Sequence, residues 1–125
     1  YVKWEATAEK TALHTYTLTL TAEIAEHWYV YSQNLENDEG PIATAVTVER
    51  PWKAAETSLE RGEKVEGYDE LFGMNITKYK KRLIIQKTIT TKENTTNIKG
   101  FITFMSCDDH QCLPPTDVDF EVLLP

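Results

Sequence analysis

The 125-residue sequence lacks the features that define several protein classes. No apolar run approaches the roughly 20 residues that a membrane-spanning helix needs. Acidic residues outnumber basic ones by 20 to 13, so the formal net charge is −7. A chain of this charge repels phosphate backbones, and we expect no nucleic-acid partner. The chain opens on Tyr1 and carries no signal peptide, so we expect a mature or excised segment.

Common catalytic and metal-binding signatures are also missing. The sequence has no Ser/His/Asp order, no Gly-rich phosphate loop and no motif of paired catalytic carboxylates. A zinc site would have to crowd His110 and an aspartate between Cys107 and Cys112, and no second Cys/His pair lies elsewhere. We therefore expect no metal and no organic cofactor.

Period-two alternation of apolar residues predicts a protein built from β-strands. From residue 15 to 24, apolar side chains occupy one face while Thr and Glu occupy the other. Shorter strand patterns cover residues 2–6, 27–33, 43–49, 79–91, 98–106 and 118–122, with a weaker one at 59–65. Seven or eight strands without a βαβ rhythm predict an all-β sandwich, and the length fits one domain over residues 1–125.

Four other segments give more specific expectations. Gly100 lies inside a strand pattern and predicts a β-bulge. The stretch from Pro51 to Leu59 is the only helix candidate. The glycine-bounded stretch from Gly67 to Gly73 predicts a loop. The basic cluster KYKKR, from Lys78 to Arg82, predicts a solvated strand face.

Both cysteines lie in one segment, FMSCDDHQCLPPTDVDF, which runs from Phe104 to Phe120. A strand leads into Cys107, four polar residues follow, and Cys112 precedes tandem prolines that cannot continue a ladder. The six-residue ring can close into a disulfide, but chain entropy gives it only about 2 kcal/mol of stability. The arrangement suits thiol–disulfide exchange, in which one thiolate attacks a partner's disulfide and the second resolves the mixed disulfide.

The polar loop between the cysteines affects that chemistry. Asp108 and Asp109 would raise the pKa of a neighbouring thiol, whereas a protonated His110 would lower it. We expect a modest nucleophile, selective in its partners. One alternative stays open, an immunoglobulin-like adhesion or interaction module in which Cys107 and Cys112 form a purely structural disulfide.

Three blocks of the sequence resemble a known family. They are HWYVYSQ followed by Gly40-Pro41, then YDELFGMNITKYKKRLIIQKTI from Tyr68, and GFITFMSCDDHQCLPPTDVDFEV from Gly100. Together they are similar to the N-terminal periplasmic domain of the transmembrane thiol:disulfide interchange protein DsbD, in its Bacteroidetes-like version. The resemblance implies an immunoglobulin-like antiparallel β-sandwich and an oxidoreductase of the protein-disulfide reductase type.

The resemblance also implies roles for individual residues. Cys112 corresponds to the cysteine that forms the mixed disulfide with the acceptor, and Cys107 corresponds to its internal partner. Tyr29 and Tyr31 match aromatics near the family's active site.

A protective cap loop is a further feature of the family, and in this chain it corresponds to Asp69, Glu70, Leu71 and Phe72. Leu71 stands where the best-known members carry a capping aromatic. Because Phe72 lies beside it, the sequence leaves open which of the two covers the cysteines.

The resemblance implies a place in a periplasmic electron relay as well. Electrons would come from the membrane domain of the same full-length protein, which would tether the domain to the inner membrane through a following transmembrane segment. They would pass to periplasmic thioredoxin-like proteins, including those of cytochrome c biogenesis, and to disulfide isomerases.

Overall fold

The computed structural model describes residues 2–33, 35, 41–49, 53–54, 59–91 and 96–124. Within these ranges all regular structure is β-strand, and no helix is long and apolar enough to cross a membrane. The strands are β1 (Val2–Ala12), β2 (Thr15–Ile24), β3 (Tyr29–Tyr31), β4 (Ala45–Val48), β5 (Lys53–Ala54), β6 (Leu59–Asp69), β7 (Met74–Thr90), β8 (Asn97–Phe104), β9 (Ser106–Cys107) and β10 (Thr116–Leu123).

Antiparallel pairing arranges these strands in two sheets. The larger sheet has the order β1-β2-β7-β3-β9, and β5 and β6 also pair with β7. The smaller sheet has the order β10-β8-β4. Side chains from both sheets form one apolar core, so the predicted all-β sandwich is confirmed.

The alternation in β2 correctly predicted which of its side chains are buried. Its alternate apolar residues are all buried, namely Tyr16, Leu18, Leu20, Ala22 and Ile24. They pack with Leu83, Ile85 and Ile89 of β7 and with Ile98, Ile102 and Phe104 of β8. Burial of one apolar face per strand therefore holds the two sheets together.

The expected helix from Pro51 to Leu59 is wrong wherever the structure describes it. Lys53 and Ala54 pair with β7, and Leu59 begins β6, while the other residues of that stretch lie outside the described ranges. The weak strand at 59–65 extends to Asp69, which leaves only residues 70–73 as the loop. Gly40 of the Gly40-Pro41 pair also lies outside the described ranges.

Gly100 does not form the expected bulge. It pairs in unbroken register with Phe120 on one side and with Val48 on the other. A Cβ atom at Gly100 would lie 2.1 Å from the Thr47 carbonyl oxygen and 2.8 Å from the Phe120 ring. Glycine is needed here because a neighbouring strand and an aromatic ring approach its backbone.

The chain changes sheets immediately before the first cysteine. β8 belongs to the smaller sheet, whereas β9 pairs with β3 in the larger one, and only Met105 lies between them. In the new sheet Cys107 pairs with Tyr29, and Ser106 pairs with Val30. This switch places Cys107 next to the aromatic strand β3.

Candidate redox site

The two cysteines form a disulfide at the end of β9. The Cα atoms of Cys107 and Cys112 are 4.0 Å apart, and the two residues also make an antiparallel backbone bridge. Cys107 is completely buried, whereas Cys112 is half-buried. A partner approaching from solvent therefore meets Cys112 first.

Asp108 closes the turn between the cysteines. Its carboxylate accepts hydrogen bonds from the backbone N–H groups of His110 (2.8 Å) and Gln111 (2.7 Å). These two bonds hold the pKa of the Asp108 carboxyl below its ordinary value. Besides its expected effect on the thiols, Asp108 thus has a local role that was not predicted, the familiar one of an aspartate in an Asx-turn.

The other polar residues of the turn face solvent. Asp109 and His110 are both exposed. After the turn, the Leu113 N–H donates to the Ser106 carbonyl at 2.9 Å and returns the chain alongside β9. The tandem prolines that follow are exposed as well, so this rim of the disulfide is accessible to solvent.

The buried side of the disulfide lies in an apolar cluster separate from the main core. We call it the cysteine cluster, and its buried members are Tyr31, Ile76, Met105 and Cys107. Partly buried side chains pack against it, namely Leu35, Phe72, Met74 and Cys112. The disulfide thus has one apolar wall and one solvent-facing rim.

Both tyrosines of β3 lie beside the cysteines. Tyr29 is the register partner of Cys107, and its ring carries the Lys78 ammonium 4.0 Å from the ring centroid. Tyr31 is buried and meets the Phe72 ring edge-to-face, with centroids 5.9 Å apart. Burial, reinforced by the charge of Asp69 and by Tyr29, raises the pKa of Tyr31, so its phenol stays neutral.

The segment from Asp69 to Phe72 lies where β6 turns back into β7. The Asp69 carboxylate accepts the backbone N–H of Leu71 at 2.9 Å and that of Phe72 at 3.4 Å. The Gly73 N–H donates to the Asp69 carbonyl at 2.7 Å, and Gly73 has φ +67°, a left-handed conformation that suits glycine. Asp69 is therefore the anchor of this turn.

Leu71 and Phe72 differ in their surroundings. Phe72 packs against the cysteine cluster, whereas Leu71 is 43% exposed, and Glu70 is exposed too. The sequence left open whether Leu71 or Phe72 covers the cysteines. Of these two side chains, only that of Phe72 packs against the cysteine cluster.

Sequence reasoning missed several members of the site. Met105, Ile76 and Met74 carry no motif that separates them from ordinary strand residues. Lys78 was predicted to lie on a solvated face, but its side chain is only 17% exposed and pairs with Asp69 at 3.0 Å. No strand pattern separates Lys78 from Lys80, because both lie one residue from the buried Tyr79 on β7 and alternation places them on the same face.

The described part of the chain holds no group of three or more His, Cys, Asp or Glu side chains that could bind a metal ion. The reactive groups that the site does offer are the two sulfur atoms. A sandwich that carries one half-exposed disulfide at a strand end, with an aromatic turn packed beside it, belongs to the class of thiol–disulfide exchange domains.

Comparison with known proteins identifies the family. The family described as "Thiol:disulfide interchange protein DsbD, N-terminal" matches residues 2–124, and the chain belongs to this family. No curated protein sequence matches the chain.

Two solved structures share the fold. The N-terminal domain of Neisseria meningitidis DsbD in the reduced form is 19% identical with a TM-score of 0.61, and the match covers 85% of this chain and 75% of that one. The N-terminal periplasmic domain of ScsB from Proteus mirabilis is 16% identical with a TM-score of 0.65, covering 96% of this chain and 44% of that one.

These findings settle the choice between exchange and adhesion. The chain is an immunoglobulin-like thiol–disulfide exchange domain with a redox cysteine pair, and the adhesion alternative is not supported. Domains of its family act with other redox proteins as parts of larger membrane proteins and lie in the periplasm.

Proposed function

We propose that the domain reduces acceptor disulfides through Cys112, with Cys107 as the resolving cysteine. The observation that carries this assignment is the difference in burial, since Cys107 is completely buried and Cys112 is half-buried. An intermolecular disulfide needs an attacking sulfur that a second protein can reach, and only then an internal thiol to displace that protein.

The exchange proceeds in two balanced steps. The Cys112 thiolate attacks one sulfur of the acceptor disulfide, forming a mixed disulfide and releasing the other acceptor sulfur as a thiolate that takes up a proton. The Cys107 thiol loses its proton and attacks the Cys112 sulfur. The Cys107–Cys112 disulfide forms, the acceptor leaves as a dithiol, and two electrons have passed from the domain to the acceptor.

The turn from Asp69 to Phe72 serves as a protective cap in this proposal. Phe72 packs against the cysteine cluster and meets Tyr31, so its ring lies over the apolar wall beside the disulfide. A partner must displace this turn to reach both sulfurs, and with the turn in place stray oxidants reach the disulfide only through its half-buried rim at Cys112. The Tyr31 ring is the surface on which Phe72 rests.

The proposal extends to location and partners. The domain lies in the periplasm, tethered to the inner membrane through a following transmembrane domain of the same protein. That membrane domain supplies the electrons, and thioredoxin-like proteins and disulfide isomerases accept them. The family membership supports this arrangement, because disulfide exchange of this kind serves compartments in which disulfides persist.

Trapping the mixed disulfide tests the assignment of the cysteines. The Cys107→Ser variant keeps the outer thiol and lacks the resolving one, so it should accumulate a mixed disulfide with an oxidised periplasmic thioredoxin-like protein. The matched Cys112→Ser variant should accumulate much less. Non-reducing electrophoresis measures the amount of adduct that each variant forms, and mass spectrometry identifies the adduct.

Two results would contradict the proposal. A stronger adduct from Cys112→Ser would reverse the roles of the cysteines. Failure of both variants to form an adduct, together with a reduction potential below about −300 mV, would indicate a structural bridge.

A further inference from the structure

Lys78 occupies an unusual position among the charged residues of β7. Its ammonium lies 3.0 Å from the Asp69 carboxylate and 4.0 Å from the centre of the Tyr29 ring. The side chains of Lys78 and Asp69 are only 17% and 7% exposed. The other described ion pairs of the protein have both side chains at least 46% exposed.

The two groups that Lys78 contacts belong to different parts of the site. Asp69 anchors the cap, because its other carboxylate oxygen accepts the N–H groups of Leu71 and Phe72. Tyr29 belongs to β3 and is the register partner of Cys107. One ammonium therefore joins the base of the cap to the strand that pairs with the buried cysteine.

We propose that Lys78 is a positioning residue that latches the cap closed over the disulfide. The inference rests on the proposed cap and adds the element that holds it. When the ammonium bridges Asp69 and Tyr29, the turn is fixed with the Phe72 ring against Tyr31. When the bridge breaks, the turn keeps its backbone bonds to Asp69 but loses its tie to β3.

The partial burial of the pair makes this bridge effective. Exposed ion pairs contribute little, because water screens them and long side chains must be ordered. A desolvated pair that also has an aromatic ring beneath the cation is stronger, and removal of one partner leaves a charge in a poorly hydrated place. Lys78 therefore favours the closed cap more than a surface lysine could.

The rate at which a water-soluble phosphine reduces the disulfide tests the latch, because the phosphine must reach a sulfur atom in order to attack. Lys78→Met keeps the apolar stem and removes the ammonium, and we expect reduction to become at least about fivefold faster. Asp69→Asn keeps an oxygen for the Leu71 N–H and removes the charge, and it should accelerate reduction similarly. Lys78→Arg should restore much of the slow rate.

Lys64→Met is the matched control. Lys64 also pairs with a carboxylate at 3.0 Å, that of Glu66, but these side chains are 52% and 64% exposed and belong to β6, outside the residues of the cap turn. This variant should leave the rate of reduction unchanged. Thermal unfolding of each variant shows whether a faster rate reflects loss of the fold instead.

The pair of variants separates a latch from a simple charge effect. If Lys78 acted only by stabilising the leaving thiolate, Lys78→Met would slow reduction while Asp69→Asn would speed it. A latch predicts acceleration in both. Opposite signs, or no acceleration in either, would overturn the inference.

A Phe72→Ala variant distinguishes failure of the latch from failure of the cap. If Phe72→Ala accelerates reduction and Lys78→Met does not, the cap stands and the latch is wrong. If neither accelerates it, both are wrong. If the latch acts through the cap, the double variant Lys78→Met/Phe72→Ala should be reduced no faster than Phe72→Ala alone. Additive accelerations from the two substitutions would count against the latch.

Discussion

Leu71 and Phe72 are chain neighbours with different surroundings. The hydrogen bonds that Asp69 accepts from both N–H groups fix the turn, and the turn directs one side chain inwards and the other outwards. Sequence reasoning could identify the turn but not its inner residue, because both side chains are large and apolar. The choice depends on backbone geometry that only the fold supplies.

Separate alanine variants should show this difference in reactivity. Phe72→Ala removes the ring that meets Tyr31 and opens the cysteine cluster, so the reduced pair should react severalfold faster with a small aromatic disulfide. Leu71→Ala removes a side chain that is 43% exposed and should change the rate by less than about twofold. Stopped-flow absorbance gives both rate constants. A larger effect of Leu71→Ala than of Phe72→Ala would show that Leu71, and not Phe72, is the capping residue.

At the scale of elements, hydrogen bonds to Glu60 connect β6 to the two residues that follow β3, Ser32 and Gln33. Its carboxylate accepts the Gln33 N–H at 2.9 Å and the Tyr79 hydroxyl at 2.8 Å, and the Ser32 hydroxyl donates to it as well. Burial raises the pKa of Glu60, but these hydrogen bonds outweigh burial and bring the pKa below its ordinary value of 4.5. The polar strand β6 is thereby fixed to the sheet although most of its side chains are exposed.

Replacing Glu60 with glutamine should make the free energy of unfolding less dependent on pH in the acidic range. A carboxyl whose pKa is lower in the folded state stabilises the fold above pH 4.5, and that contribution is lost as the pH falls through the lowered value. Glu60→Gln should therefore cost about 2 kcal/mol at pH 7 and less near pH 3. Urea unfolding at both pH values measures the free energies of unfolding.

A neighbouring glutamate offers the control for that experiment. Glu66 lies on the same strand, but its side chain is 64% exposed and pairs only with Lys64 among the described ion pairs. Glu66→Gln should change the free energy of unfolding by less than about 1 kcal/mol at either pH. A pH-independent loss in Glu60→Gln would mean that shape, and not charge, matters at this position.

For the whole molecule, the sequence was informative where one face of a strand is buried. The alternation in β2 predicted its core residues directly. The extent of β6 was poorly predicted, because β6 is a polar strand whose position depends on pairing with β7. Pairing between distant strands leaves no local pattern, and this is why the expected helix is wrong at Lys53, Ala54 and Leu59, the residues of that stretch that the structure describes.

The site shows the same limit. The CDDHQC spacing identified the disulfide, and the family resemblance pointed to Tyr29, Tyr31 and the cap. The change of sheet at Met105, which brings Cys107 beside Tyr29, arises from long-range pairing and was not predictable. Nor was the burial of Lys78, since a lysine in a basic cluster is usually solvated.

The separation of the cysteine cluster from the main core bears on how the whole domain tolerates reduction. An exchange domain must stay folded in both redox states, and the main core that joins the two sheets contains neither cysteine.

The disulfide should accordingly contribute little to overall stability. It closes a ring of only six residues, for which chain entropy gives about 2 kcal/mol. Reduction should lower the free energy of unfolding by about that amount and leave the β-sheet circular dichroism spectrum unchanged. Urea unfolding with and without a phosphine reductant measures the difference, and a Cys107→Ser/Cys112→Ser double variant provides a reduced form that cannot reoxidise. Loss of the folded state on reduction would show that the bridge stabilises the sandwich, and a domain that unfolds in its reduced form could not present its thiols to an acceptor.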